Sequence, residues 1–155
     1  MSLNQELLAQ IRDRLVRLGD DATAIRGDVE QIMANVGSHP EIALGYSRKA
    51  LDRLTRDLAQ RCCIEPLGLG RPTTENYIKS LGRDAPRLLL EHLTTVMRYS
   101  DTRGDRFGRE VHEPPLQEGV VISLEAWDYI LSWFENAFAQ TGDPFGVGKI
   151  GSQLR

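Results

Sequence analysis

Apolar residues recur at alternating intervals of four and three positions along the first 36 residues of the chain. The repeat comprises Ile11, Leu15, Leu18, Ala22, Ile25, Val29, Ile32 and Val36. This spacing places side chains on one face of an α-helix, so residues 3–36 are predicted to be helical. Gly19-Asp20-Asp21 can break or kink this helix, since Gly ends helices and Asp starts them, but the repeat keeps its phase across Gly19. The pattern therefore predicts one long helix or two nearly collinear helices.

This apolar seam, residues 11–36, allows two interpretations. In the first, the seam packs against other helices of the same domain. In the second, it is a dimer seam that pairs with another copy of the chain, because the stripe is longer than one short neighbouring helix can cover. The sequence leaves both interpretations open.

The remaining pattern predicts three more main helices and one short helix. Their predicted ranges are 40–63, 74–81, 85–100 and 124–140. Ser38 and Pro40 mark the start of the first of these, since a polar cap followed by Pro in the first turn is typical of helix N-termini. Thr73 and Ser123 are predicted to cap the short helix and the last helix. With no βαβ pattern and no internal repeat, the predicted fold class is an all-α bundle of four main helices with one short extra helix.

Each main helix has an apolar stripe that is predicted to face the core. In residues 40–63 the stripe is Leu44, Ser47, Leu51, Leu54, Leu58 and Cys62. In residues 85–100 it is Leu89, Leu93 and Val96, widened by Leu88, Leu90 and Met97. In residues 124–140 it is Leu124, Trp127, Leu131, Phe134 and Phe138. Tyr129 and Trp133 fall off this last stripe and are predicted to cover a second surface, such as one for a partner.

A basic stripe runs along the second main helix at Lys49, Arg53 and Arg56. Asp52 and Asp57 interrupt it, so it is interpreted as a solvated helix face rather than a binding surface.

The segment 101–122 is predicted to be irregular, because its glycines and the pair Pro114-Pro115 disfavour helix. It holds Arg106 and His112, which are separated by five residues. Arg presents a fork of permanently charged donors that fits a phosphate, and His can exchange a proton near neutral pH. These two side chains can therefore act together on a phosphate. A structural role, with His112 hydrogen-bonded to backbone at a helix-capping turn, is the alternative.

Composition and charge narrow the classes of function. The 155 residues carry a net charge of −3, whereas a general nucleic-acid binder is usually basic over a whole face. A small local anion site is still compatible with this charge. No apolar run approaches the ~20 residues that span a bilayer, and residues 1–6 lack the pattern of a secretory signal. We therefore expect a cytoplasmic protein without membrane contact.

The two cysteines, Cys62 and Cys63, are adjacent and too few for a disulfide framework. A reducing compartment fits this usage best. A zinc site that combines them with two of His39, His92 and His112 lacks ligand-type spacing. Free thiols are the favoured interpretation, and no metal or cofactor is predicted.

Three stretches carry a resemblance to a known family. The first, residues 43–54, has paired basic residues followed by Ala-Leu. The second, Val96-Met97-Arg98, precedes a Gly-containing segment that ends in His112. The third is the final amphipathic helix, 124–138, with its aromatic-rich end. In this order and spacing, residues 40–138 resemble the HEPN superfamily of helical domains, and most of all its DUF4145-type branch.

The family includes metal-independent ribonucleases that use an Arg-x(4–6)-His motif as a pair across a dimer. Arg106 and His112 meet this spacing. The resemblance implies that His112 moves protons at the 2′-hydroxyl and the leaving oxygen. It also implies that Arg106 stabilises charge on the phosphate. Arg98, Arg103 and Arg109 would then add affinity for RNA or another anion.

Two departures from the family pattern concern the motif itself. Phe107 follows Arg106, where active members often have a polar residue, and Arg109 stands where many relatives have Asn. The favoured function is therefore a HEPN-like interaction or dimerisation module. The resemblance implies that it is an accessory or sensor component of a prokaryotic defence or stress system. Its partner would be a second copy or a larger protein. The alternative is the ribonuclease acting on RNA, and a third possibility is binding of a small molecule or nucleotide by residues 98–112.

The expected organisation has three parts. Residues 1–37 form a long N-terminal helix or helical hairpin, residues 38–140 form the HEPN-like bundle, and residues 141–155 form a flexible tail.

Overall fold

The computed structural model describes residues 5–61, 73–81, 85–100 and 116–141. These ranges contain six α-helices, one short 3-10 helix and no strand, which confirms the predicted all-α class for this part of the chain. The elements are α1 (Gln5–Leu18), the 3-10 helix (Gly19–Ala22), α2 (Thr23–Asn35), α3 (Pro40–Arg61), α4 (Thr74–Leu81), α5 (Arg87–Ser100) and α6 (Leu116–Thr141). Within the same ranges, none of the helices combines the length and the apolar character needed to cross a bilayer.

The N-terminal residues do not form the predicted straight run. α1 ends at Leu18, and Gly19 adopts a left-handed backbone with a φ of 55°, which Gly tolerates because it has no Cβ. Arg26 then reaches back, and its Nη2 donates to the carbonyl oxygens of Gly19 and of Leu15, the latter 3.3 Å away. In a straight helix, residues 15 and 26 would lie about 16 Å apart along the axis, beyond the reach of one side chain. The expectation of collinear helices is therefore wrong, and a sharp bend joins α1 to α2.

The bend lets the apolar seam pack on two different helices of the same chain. All eight seam residues are buried, with at most 8% of any of them exposed. α1 packs mainly on α6, whereas α2 packs mainly on α3. Packing on the chain's own helices, the first interpretation of the seam, is therefore the arrangement observed. The seam residues and the buried residues of the later helices belong to one hydrophobic core.

α2 and α3 form an antiparallel hairpin around a short turn. The carbonyl of Asn35 accepts a hydrogen bond from the backbone N–H of His39 at 2.9 Å. Pro40 is the first residue of α3, as predicted. Asp28 of α2 is nearly buried, and its Oδ2 lies 3.1 Å from Nη1 of Arg53 on α3. The N–H does not point at this oxygen, so the contact is an ion pair without a directed hydrogen bond. One member of the basic stripe thus neutralises a buried carboxylate.

α3 lies at the centre of the bundle and contacts α2, α4, α5 and α6. The predicted stripe of α3 is buried throughout its described part, 44–58, and Cys62 lies outside the described residues. Ser47 on this stripe is fully buried, and its Oγ accepts a hydrogen bond from Nε1 of Trp127 on α6 at 3.0 Å. A buried indole N–H needs such a partner. The one polar residue of the stripe therefore helps to place α6 on α3.

α4 begins at the predicted position and has a reciprocal cap at its N-terminus. The backbone N–H of Asn76 donates to Oγ1 of Thr73 at 3.2 Å, and the backbone N–H of Thr73 donates to Oδ1 of Asn76 at 3.0 Å. This is the geometry of a capping box, with Asn in the place of Glu or Gln. The hydroxyl of Thr74 donates to Oδ1 of Asp52 at 3.1 Å, which attaches α4 to α3.

α6 begins at Leu116 rather than near residue 124, so the expectation of irregular structure is wrong for residues 116–122. Val120 is fully buried and extends the 4-3 stripe of this helix by one turn. Pro114 and Pro115 lie outside the described residues. Ser123 does not cap α6. It lies inside the helix, buried, and its hydroxyl has no hydrogen-bond partner among the described atoms.

α5 departs from the sequence expectation at one position of its apolar face. Leu89, Leu93 and Val96 are fully buried as predicted, but Leu88 is 49% exposed. Five residues correspond to a rotation of about 140° around a helix axis beyond one full turn. Leu88 therefore points well away from Leu93 and cannot widen the buried face.

Candidate functional site

Four of the five predicted site residues, Arg103, Arg106, Arg109 and His112, lie outside the described residues. The pairing of Arg106 with His112 therefore stays a prediction. The structure does describe the two helix ends that flank their segment, at Ser100 in α5 and at Leu116 in α6.

These two helix ends lie side by side, because α5 and α6 form an antiparallel hairpin. A Cβ added to Gly119 would lie 3.6 Å from Cδ1 of Tyr99, an ordinary van der Waals contact. Further along the pair, the rings of His92 and Tyr129 stack with their centroids 4.1 Å apart. From the first of these contacts to the second, residue numbers decrease along α5 and increase along α6. The segment that contains Arg106 and His112 is thus attached at both of its ends to one end of the hairpin.

Arg98 is the predicted anion-binding residue that the structure describes. It is exposed in the last turn of α5. The central carbon of its guanidinium lies 5.7 Å from the ring centroid of Tyr99, within the range of a cation–π contact. A guanidinium that rests on a ring keeps N–H donors at its edge, and these fit a phosphate or carboxylate. Arg98 therefore supplies positive charge close to the attachment of the predicted catalytic segment.

His92 is a titratable residue of this hairpin that sequence reasoning did not place at the site. Its imidazole is half-buried and stacks on Tyr129 at an interplanar angle of 21°. Burial lowers the pKa of His92 below its ordinary value of 6.5, while the negative charge of Glu91 opposes this by raising it. His92 is consequently a neutral imidazole at pH 7, which offers one hydrogen-bond donor and one acceptor.

The His92 contact corrects the expectation for Tyr129, which faces α5 rather than a partner surface. Trp133 packs edge-on against Phe134, with ring centroids 5.2 Å apart. His92 and Tyr129 each directly precede a fully buried residue, Leu93 and Ile130. Other residues of these helices have the same position relative to the core, so the sequence does not single out this stack.

The second notable region is the bend between α1 and α2. An open cleft of about 440 Å³ lies in the angle between the two helices. It is lined by Arg12, Leu15, Val16, Gly19, Arg26 and Glu30. Val16 at this cleft is 78% exposed, although it is a large apolar side chain. The cleft shows that α1 and α2 do not pack closely against each other.

α1 is held on α6 by a cluster of ion pairs beside its apolar contacts. Arg14 donates from Nε to Oδ1 of Asp128 at 2.9 Å and from Nη1 to Oε2 of Glu135 at 3.2 Å. Arg17 donates from Nε to Oε1 of Glu135 at 3.0 Å. The side chains of Arg14, Asp128 and Glu135 are only 20–22% exposed, so water screens this cluster less than a surface pair.

The structure also bears on the zinc alternative. No group of three or more His, Cys, Asp or Glu side chains with the arrangement of a metal site occurs in the described ranges 5–61, 73–81, 85–100 and 116–141. Cys62, Cys63 and His112 lie outside them.

No protein-family model, no curated protein and no solved structure matches this chain. The resemblance to the HEPN superfamily therefore rests on the quoted residues and their order.

Proposed function

We propose that this protein is a helical interaction module of HEPN-like type, which associates with a second copy of itself or docks on a larger protein. In this role it serves as an accessory or sensor component of a prokaryotic defence or stress system in the cytoplasm. The observation that supports self-association is the way in which α1 is attached. α1 packs mainly on α6 and is divided from α2 by a bend and an open cleft.

The proposal is tested by size-exclusion chromatography with light scattering over a concentration series in the micromolar range. A dimer whose fraction falls on dilution is the expected result. A chain that stays monomeric over the whole series, with no stable larger partner recovered from its native host, contradicts the proposal.

A second candidate function, the metal-independent ribonuclease, is favoured by the position of Arg98. This exposed guanidinium lies at the hairpin end to which the segment with Arg106 and His112 is attached. In the proposed reaction, His112 takes the proton of the 2′-hydroxyl as the 2′-oxygen attacks the phosphorus. The bond from phosphorus to the 5′-oxygen then breaks, and His112 returns the proton to this leaving oxygen, while Arg106 stabilises the charge that grows on the phosphate.

Cleavage of single-stranded RNA in the presence of a metal chelator tests this second function. His112→Ala and Arg106→Ala should each reduce the cleavage rate by about 100-fold or more. His39→Ala is the matched control, because it removes an exposed His at the α2–α3 turn. Equal cleavage by the wild type and His112→Ala would rule the ribonuclease out, as would the absence of cleavage by the wild type.

A further inference from the structure

We infer that α1 is an exchangeable arm. When the bend at Gly19–Ala22 opens into continuous helix, α1 of one copy docks on α6 of a second copy, and the second copy does the same in return. The product is a symmetric dimer in which each α6 is covered by its partner's α1. This inference names the interface of the proposed self-association and rests on that proposal.

The phase of the apolar seam is the first argument. Leu18, Ala22 and Ile25 keep the 4-3 spacing across the bend, although α1 and α2 pack on different helices. The bent form does not need this continuity, because a bend can join two stripes of any relative phase. A straight helix does need it, since only a constant phase keeps the stripe of α1 and the stripe of α2 on one face.

The construction of the bend is the second argument. Gly19 holds a φ of 55° in open space, with no atom within 4 Å of the position that a Cβ would take. The closed form is held by the contacts of Arg26 with the carbonyls of Leu15 and Gly19, and by the ion pair between Arg61 and Asp21 at 3.3 Å. A few polar contacts and one glycine thus select the bend over continuous helix.

The surface between α1 and α6 is the third argument. Leu8, Ile11, Leu15 and Leu18 of α1 are buried, and the ion pairs of Arg14 and Arg17 are all made with α6. Contacts between these two helices can form in the same way when α6 belongs to another copy. Exchange of an identical element between protomers is a low-cost route to a dimer for this reason.

Complementary charge reversal provides the decisive experiment. One chain carries Arg14→Glu and Arg17→Glu, and a second chain carries Asp128→Arg and Glu135→Arg. Within either chain, α1 and α6 then repel each other, whereas exchange between the two chains restores every attraction. Mixing the two should produce a 1:1 heterodimer, detected by light scattering and native mass spectrometry. A single chain with all four substitutions is the folding control, because it restores the attraction internally.

If the fourfold variant folds and the mixture forms no heterodimer, the exchange is overturned. A wild-type dimer under the same conditions would then show that self-association exists without exchange. A wild type that is monomeric under these conditions would contradict the proposed self-association as well.

Hinge variants keep the inference testable even if charge reversal prevents folding. Gly19→Ala disfavours the left-handed bend and favours helix, so it should raise the ratio of dimer to monomer by roughly tenfold to a hundredfold per hinge. Asp20→Pro fits the φ of a 3-10 turn but lacks the N–H that continuous helix requires, so it should lower this ratio relative to the matched Asp20→Ala. The same ratio in Gly19→Ala and Asp20→Pro would contradict the exchange.

Discussion

Replacing Ser47 with Ala tests whether one buried hydrogen bond places α6 on α3. In the wild type, Nε1 of Trp127 donates to Oγ of Ser47 at 3.0 Å, and both residues are 0% exposed. Without the hydroxyl, the indole N–H is buried without a partner, which costs about 1–3 kcal/mol. Ala is a better helix former than Ser by roughly 0.5 kcal/mol. We therefore expect Ser47→Ala to lower the free energy of unfolding by about 0.5–2.5 kcal/mol.

A double-mutant cycle separates this hydrogen bond from other effects of the substitution. Trp127→Phe removes the donor and also leaves a cavity, so its own cost includes lost packing. In the Trp127→Phe background there is no indole N–H to donate to the Ser47 hydroxyl. Ser47→Ala should therefore leave the free energy of unfolding nearly unchanged or raise it slightly in that background. The coupling energy between the two positions is expected to be about 1–3 kcal/mol.

Urea denaturation of the four chains, followed by far-ultraviolet circular dichroism, measures the cycle without relying on the fluorescence of Trp127. Equal slopes of unfolding free energy against urea would show that the chains unfold to comparable states. A coupling energy below about 0.5 kcal/mol, the level found for independent sites, would refute the reasoning. The hydrogen bond would then contribute little to the docking of α6.

Two further predictions concern ionisable groups. Because burial lowers the pKa of His92 below 6.5, the unfolded chain binds this proton more readily, so stability should fall as pH drops below about 6.5. Urea titrations at a series of pH values measure this dependence, and His92→Gln should reduce it while the control His39→Gln should not. Equal slopes of unfolding free energy against pH in the two variants would contradict the assignment of this dependence to His92. Arg14→Gln should lower the free energy of unfolding by about 1–3 kcal/mol. Arg17→Gln should lower it by less than about 1 kcal/mol, because the Arg17 side chain is 56% exposed. Thermal unfolding at low and high salt measures both effects, and a larger effect for Arg17→Gln than for Arg14→Gln would contradict the role given to the half-buried cluster.

Most helices of the described fold could be predicted from the sequence, because burial imposes a periodic pattern on each of them. The stripes of α3 and α5, for example, contain the buried Leu51 and Leu93 at the predicted positions. Gly19 indicated a possible break, but the change of direction between α1 and α2 could not be predicted from this pattern. Periodicity reports which face of a helix is buried, and it stays in phase here although the backbone turns.

The start of α6 was obscured by a different effect. The expectation of irregular structure rested on Pro114-Pro115 and on glycines such as Gly119, which disfavour helix locally. Burial of Val120 against the core outweighs this local preference. Such an outcome depends on the neighbouring helices and is not contained in the local sequence.

Polar contacts between distant positions escaped sequence reasoning for a related reason. Arg14 and Asp128 are 114 residues apart in the chain, and the stack of His92 on Tyr129 depends on how α5 and α6 align. Apolar periodicity identifies the faces that meet, but it does not fix which residues are opposite each other. Ser47, a polar residue on a predicted core stripe, is a position from which the need for a buried partner could have been inferred.

The length of α6 has a consequence for ionic screening. Glu135, which pairs with Arg17 next to the bend, and Gly119, which touches Tyr99 at the hairpin end, are separated by about 24 Å along the helix. The Debye length at physiological ionic strength is about 8 Å. Reversing the charges of Arg17 and Glu135 should therefore change the electrostatic potential around Arg98 little, whereas Asp128 lies only about 14 Å from Gly119 along the helix. Salt titrations of RNA binding on a chain with Arg17→Glu and Glu135→Arg would then report mainly on the hairpin end.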